Sequence, residues 1–132
     1  MKKKVLILLG VLIGLYAVLT MVDTSEYRVE KRMWRMRKQF AAVAQDPKAV
    51  PDAQFERVVR GYRRLIKKFP KSRYVPQMYS EIGSLYLLNK KYDDARQAYL
   101  DVANQFSDHA NVAAKAMLDV GNSYVIEGKL DK

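Results

Sequence analysis

Apolar residues recur along most of the chain at helical spacing, and the pattern changes character four times. Val5 to Val22 is an unbroken apolar run of eighteen residues in which Tyr16 and Thr20 carry the only polar side-chain groups. As a helix it spans about 27 Å, close to the apolar thickness of a bilayer. Beyond it, Val29, Met33, Met36, Phe40 and Val43 fall 4, 3, 4 and 3 residues apart, which predicts one apolar face of a helix over 26–45. Two prolines, Pro47 and Pro51, break that pattern. A stripe of Phe55, Val58, Val59, Tyr62, Leu65, Ile66 and Phe69 predicts a helix over 53–69, with Asp52 as its N-terminal cap and Pro70 as its stop. Further apolar stripes predict helices over 75–88, 92–106 and 110–126, the first two joined by the short turn Asn89-Lys90-Lys91 and hence antiparallel, and the last closed by Gly128. No segment alternates as a strand does, so the expected fold class is all-α.

The stripes repeat. Tyr62, Leu65, Phe69 and Pro70 align with Tyr99, Val102, Phe106 and Ser107 at an offset of 37, and Ile82-Gly83-Ser84-Leu85-Tyr86 aligns with Val120-Gly121-Asn122-Ser123-Tyr124 at 38. Such a period predicts stacked helical hairpins, none of which can bury its apolar face alone. The residues Tyr79, Ile82, Gly83, Tyr86, Ala95, Tyr99 and Val102 resemble the pattern of the tetratricopeptide repeat family, with Gly121 and Tyr124 taking the same places one unit later. Pro70 fills the family's proline position, while Ser107 replaces it in the next unit. The wording Phe69-Pro70-Lys71-Ser72-Arg73-Tyr74 is similar to repeats of bacterial envelope proteins, the outer-membrane assembly lipoproteins and the Tol–Pal coordinator. The resemblance covers 53–132 and implies a protein-binding scaffold of the cell envelope, with Gly83 and Ala95 allowing close approach within a hairpin and Tyr86 and Tyr99 filling the gap between hairpins. Groove residues expected from position are Gln77, Ser80, Glu81 and Ser84, with Asn122 in the next unit. Gly128-Lys129-Leu130-Asp131-Lys132 reads as the opening of a further helix, so the array is expected to continue past this chain or to be covered there by a partner.

Charge sharpens the first half of this picture. Residues 1–70 hold 16 basic and 6 acidic residues, whereas 71–132 hold 8 of each. Arg28, Lys31, Arg32, Arg35 and Lys38 surround Trp34 on the helix after the apolar run, a combination that suits lipid headgroups. The competing reading packs the apolar face of that helix on its successors. Nucleic-acid or membrane-surface binding through 28–38 and 57–68 is the alternative function, though no aromatic platform or reading motif accompanies the cations.

The expected organisation is an uncleaved membrane anchor over 1–22, a basic juxtamembrane helix and linker over 23–51, and repeats over 52–132. The run ends without the small-residue pattern of a cleavage site. The chain has no cysteine, so it lacks a lipid-modified cysteine, and the resemblance then implies a single pass through the inner membrane. Lys2, Lys3 and Lys4 place the N-terminus in the cytoplasm and the repeats in the periplasm, whereas the cations of 28–38 argue for the cytoplasmic-facing alternative. Gly10 and Gly14 form a small-residue pair suited to self-association. Without cysteine, with only His109, and with no nucleophile–base pair or phosphate loop, the sequence predicts neither catalysis nor a metal, cofactor or small-molecule substrate.

Overall fold

The computed structural model describes residues 2–48 and 50–129, and within the first helix the side chains of 3–19 and of 26 onward. Among the described residues five α-helices follow one another: α1 (Lys2–Gln45), α2 (Asp52–Lys68), α3 (Val75–Leu88), α4 (Tyr92–Gln105) and α5 (Ala110–Glu127). Among the described residues there is no strand. The chain is all-helical.

The apolar run and the basic segment after it, expected as separate helices, form one helix of 44 residues. The polar residues between them, Asp23-Thr24-Ser25, include no proline or glycine and so do not interrupt the backbone ladder. Among the described residues no helix is long and apolar enough to cross a membrane. The described part of the run, Val5 to Leu19, has its large apolar side chains 54–71% exposed. The side chains at the end of the predicted run, from Thr20, and Leu130 to Lys132 of the predicted further helix lie outside what is described.

Past that stretch α1 enters a packed body. Val29, Met33 and Val43 are buried, and Met36 and Phe40 pack partly buried against the same core. α2 runs antiparallel to α1: Arg32 lies over the Phe69 ring, at 5.8 Å, while Met36 reaches Gly61 nearer the middle of α2. α3 runs parallel to α1, since Ser72 Oγ donates to Glu26 Oε2 at 2.9 Å and, further along, Arg37 Nε donates to Glu81 Oε1 at 3.2 Å. α4 and α5 continue the alternation. One layer thus holds α1, α3 and α5 and the other holds α2 and α4. α3 touches both of its layer neighbours, and each helix packs on the next.

The sequence repeat is visible in the backbone. After α2, Phe69 N–H donates to Leu65, Ser72 to Phe69 and Val75 to Ser72; after α4, at an offset of 37, Phe106 donates to Val102, His109 to Phe106 and Val112 to His109. After α3, Lys90 N–H donates to Leu87 and Lys91 to Tyr86; after α5, at an offset of 38, Gly128 donates to Val125 and Lys129 to Tyr124. Lys90 and Gly128 both adopt positive φ, 56° and 82°, at the equivalent step. Such turns satisfy the last carbonyls of a helix.

The expected cap at Asp52 is corrected. Pro51 takes the N-cap position of α2 without a side-chain bond, and Asp52 becomes the first helical residue, where its charge suits the helix dipole.

Candidate partner-binding groove

α3 and α5 lie side by side and leave a groove of about 570 Å³ between them. Gln77, Ser80, Glu81 and Ser84 form the α3 wall; Asn111, Val112 and Lys115 form the α5 wall, and Val102 and Ala116 contribute to the floor. These four α3 positions follow one another at helical spacing on one face of the helix, above Val102 and Tyr99 of α4. The rim is polar and the floor apolar, the usual makeup of a surface that receives a peptide or helix.

Two of the charges on the walls are already engaged. Glu81 is held by Arg37 from α1, and Lys115 Nζ donates to Asp119 Oδ2 at 2.8 Å. Ser84 Oγ lies 3.4 Å from the Tyr99 hydroxyl, which fixes the wall to α4 behind it. Gln77 remains the exposed residue of the wall.

Asn122 is exposed but does not line this groove. It repeats Ser84 at offset 38, so it stands on the wall of the next unit, beside which no further helix lies among the described residues. The α5 wall residues Asn111 and Lys115 were missed, although the same offset leads to them from Arg73 and Gln77.

Behind the groove, the repeat-defining residues separate into filled and open places. Ile82, Ala95 and Val102 are each 1% exposed or less. Tyr86 is buried, and Arg63 donates to its hydroxyl at 3.3 Å; Tyr79 is half-buried on the core's edge. Tyr99 does not fill a gap between hairpins as expected. Its ring occupies the space that Gly83 leaves within the α3–α4 hairpin, and a methyl group added at Gly83 would collide with it. Burial pushes the Tyr99 hydroxyl above its ordinary pKa, opposed by the bond to Ser84. Gly121, equivalent to Gly83, meets nothing within 4 Å.

Tyr124 leads to a feature absent from the sequence reading. Arg96, only 6% exposed, stacks over the Tyr124 ring at 4.3 Å, donates to Glu127 Oε2 at 2.7 Å and also pairs with Asp93. It joins the start of α4 to the end of α5. Its bonds to Asp93 and Glu127 raise its pKa further. Glu127 is held below its ordinary pKa first by Lys129 and then by Arg96.

The basic positions around Trp34 divide differently. Trp34 is exposed, with Lys38 Nζ 3.8 Å from its ring centre, while the apolar face of the same helix is buried on α2 and α3. That burial satisfies the packing reading of 26–45. Arg28, Lys31, Arg32 and Arg35 are exposed on its outer sides, Arg32 also reaching Phe69 and Arg35 bordering α2. On α2, Arg57, Arg60, Arg63, Arg64 and Lys67 surround a shallow hollow of about 380 Å³. Another hollow of about 520 Å³, between α2 and α4, mixes Arg63 and Lys67 with Asp94 and Asp101.

Gly10 and Gly14 have no neighbour within 4 Å. Among the described residues no three His, Asp or Glu side chains converge in a way that holds a metal ion. His109 sits before α5 with its ring edge-on to Phe106, 6.2 Å between centres, and makes no side-chain cap. No family model matches the chain, and neither does any curated protein or solved structure.

Proposed function

We propose that the chain is a membrane-anchored, non-catalytic scaffold of the tetratricopeptide type, whose groove between α3 and α5 takes an extended or helical segment of another protein. The groove is the observation that carries this reading: it has an apolar floor and a polar rim, and its walls come from α3 and α5, the corresponding helices of successive repeat units. The matching backbone turns at offsets of 37 and 38 support the repeat assignment. The exposed apolar side chains of Val5 to Leu19 support the anchor, since a surface of that size is not left to water. We place the anchor in a bacterial inner membrane as a single pass with the helical body in the periplasm, on the strength of Lys2 to Lys4 and the absence of cysteine. Gly10 and Gly14 offer a face for self-association in that setting.

A photo-crosslinking residue at Gln77 tests the groove. It should capture a discrete envelope protein in cells, whereas the same probe at Lys48, beyond the far end of the groove, should not. Equal capture at both positions, or at neither, ends the scaffold reading. A reporter fused after Lys132 tests the orientation: activity confined to the cytoplasm reverses it.

A further inference from the structure

The packing sets the height of each loop along α1. Glu26 stands four residues beyond Val22, about 6 Å of helix rise. It accepts the hydrogen bond from Ser72, and Arg32 covers Phe69, so the loop between α2 and α3 is pinned beside the first turns of α1 after the apolar run. The loop between α4 and α5 lies at the same end by the alternation of the helices. The turn at 89–91 lies at the other end, a helix of 14 residues away, or about 21 Å.

Charge sorts along the same axis. The end beside Glu26 presents Lys67, Lys68, Lys71 and Arg73, all exposed, alongside Arg28 and Lys31. None of Lys67, Lys68 and Lys71 makes an ion pair with a described residue, and Arg73 is engaged by the Tyr74 hydroxyl rather than by a carboxylate. The acids at this end are Glu26, which accepts from Ser72 and with Glu30 also attracts Arg73, and Asp108 in the loop between α4 and α5, and the cations outnumber them. At the opposite end Asp46, Asp52, Glu56, Asp93, Asp94 and Glu127 are matched by Lys48, Arg57, Lys90, Lys91, Arg96 and Lys129, and Lys91, Arg96 and Lys129 are paired to Glu56, Asp93 and Glu127. Screening confines the attraction of such charges to about 10 Å at moderate salt. Only one end of the body lies within that distance of the plane where the apolar run stops.

We infer that this end of the helical body seats on anionic lipid headgroups, with Lys67, Lys68, Lys71 and Arg73 engaging their phosphates. The inference rests on the reading of 5–22 as a membrane segment. It holds the body upright on the bilayer, with the 89–91 turn directed away.

The full chain, which contains no cysteine of its own, allows the test. Ser107→Cys, in the exposed loop at the basic end, and Lys90→Cys, at the far turn, each accept a fluorescent label. Both are reconstituted in phosphatidylcholine vesicles with and without phosphatidylglycerol, carrying a headgroup acceptor. Energy transfer from position 107 should rise when phosphatidylglycerol is present, and position 90 should not respond. The variant K67Q/K68Q/K71Q/R73Q should lose the rise, whereas R57Q/R60Q/R64Q, which removes charge from the outer side of α2, should keep it. Unchanged circular dichroism of both variants excludes misfolding as the cause. A chain that floats with phosphatidylcholine vesicles but shows no lipid-dependent rise at 107 overturns the inference alone. A chain that does not float with phosphatidylcholine vesicles removes the membrane reading and the inference with it. Loss of DNA binding in the quadruple variant, with no response to lipid, assigns the surface to nucleic acid and likewise overturns it.

Discussion

α3 and α5 carry equivalent positions of one repeat, yet they live in different surroundings. α3 is enclosed by α2 and α4 and touches α1 and α5. Its Met78, Ile82 and Leu85 are no more than 1% exposed, and its glycine holds a tyrosine ring. Among the described residues α5 packs on α4 and α3, its glycine faces open space, and Met117, Leu118, Val125 and Ile126 are 53–64% exposed. The turns that end the two helices share their hydrogen bonds all the same. The local backbone is therefore set by local sequence, while the energetic worth of a position is set by what stands against it.

Paired substitutions at equivalent positions test that difference. The largest contrast should be between Leu85 and Ser123, both fully buried. Leu85→Ala leaves a cavity in the core and should cost about 2–5 kcal/mol in chemical denaturation. Ser123→Ala removes only a hydroxyl that bonds the Val120 carbonyl and should move stability by less than about 1 kcal/mol. Similar losses at both sites would erase the contrast.

The glycines should respond with opposite signs. Gly83→Ala overpacks the Tyr99 ring, typically about 1–3 kcal/mol, and regains roughly 1 kcal/mol of helix propensity, so a net loss is expected. Gly121→Ala meets nothing and should raise stability by about 1 kcal/mol. A gain at both positions would mean that the Tyr99 contact imposes no constraint.

The turns give a smaller pair. Lys90 holds the left-handed conformation that Gly128 holds without a side chain. Lys90→Gly should therefore stabilise by about 0.5–1 kcal/mol, and Gly128→Ala should destabilise.

Acid distinguishes α5 in another way. Because the pKa of Glu127 is lowered in the folded chain, its contribution is complete above the ordinary glutamate range and is lost as pH falls through the depressed value. Thermal melts of Glu127→Gln should lie below the wild type at neutral pH and converge with it in acid. Parallel curves throughout would remove Glu127 from the account.

The four-and-three spacing of apolar residues made the helices legible, because burial follows it at Phe55, Val58, Tyr62 and Leu65 and again at Val75, Met78, Ile82 and Leu85. What escaped depended on partners distant in sequence. Arg96 reads as a solvated charge paired with Asp93 on its own helix, and its burial follows from a second carboxylate, Glu127, that arrives 31 residues later. Tyr99 and Gly83 are each ordinary in isolation, and their fit is a property of two helices. The continuity of α1 escaped for the opposite reason: a change of polarity looks like a boundary, but polar residues do not end a helix unless they remove a hydrogen bond or offer a better one. In the groove, the α3 wall followed from position, while the α5 wall required carrying the repeat offset through residues that bear no family signature.

The unbroken course of α1 also fixes an angle. Val29, Met33 and Val43 are locked into the core, so the stretch from Val5 to Leu19 cannot roll about its axis without turning the whole body. At 3.6 residues per turn, Val11 and Val18 share the azimuth of the core-facing stripe, whereas Gly10 and Gly14 point roughly 60–100° away from it. Two chains meeting along those glycines would thus bring their bodies together flank to flank, each keeping its groove in a rotational phase dictated forty residues upstream or more.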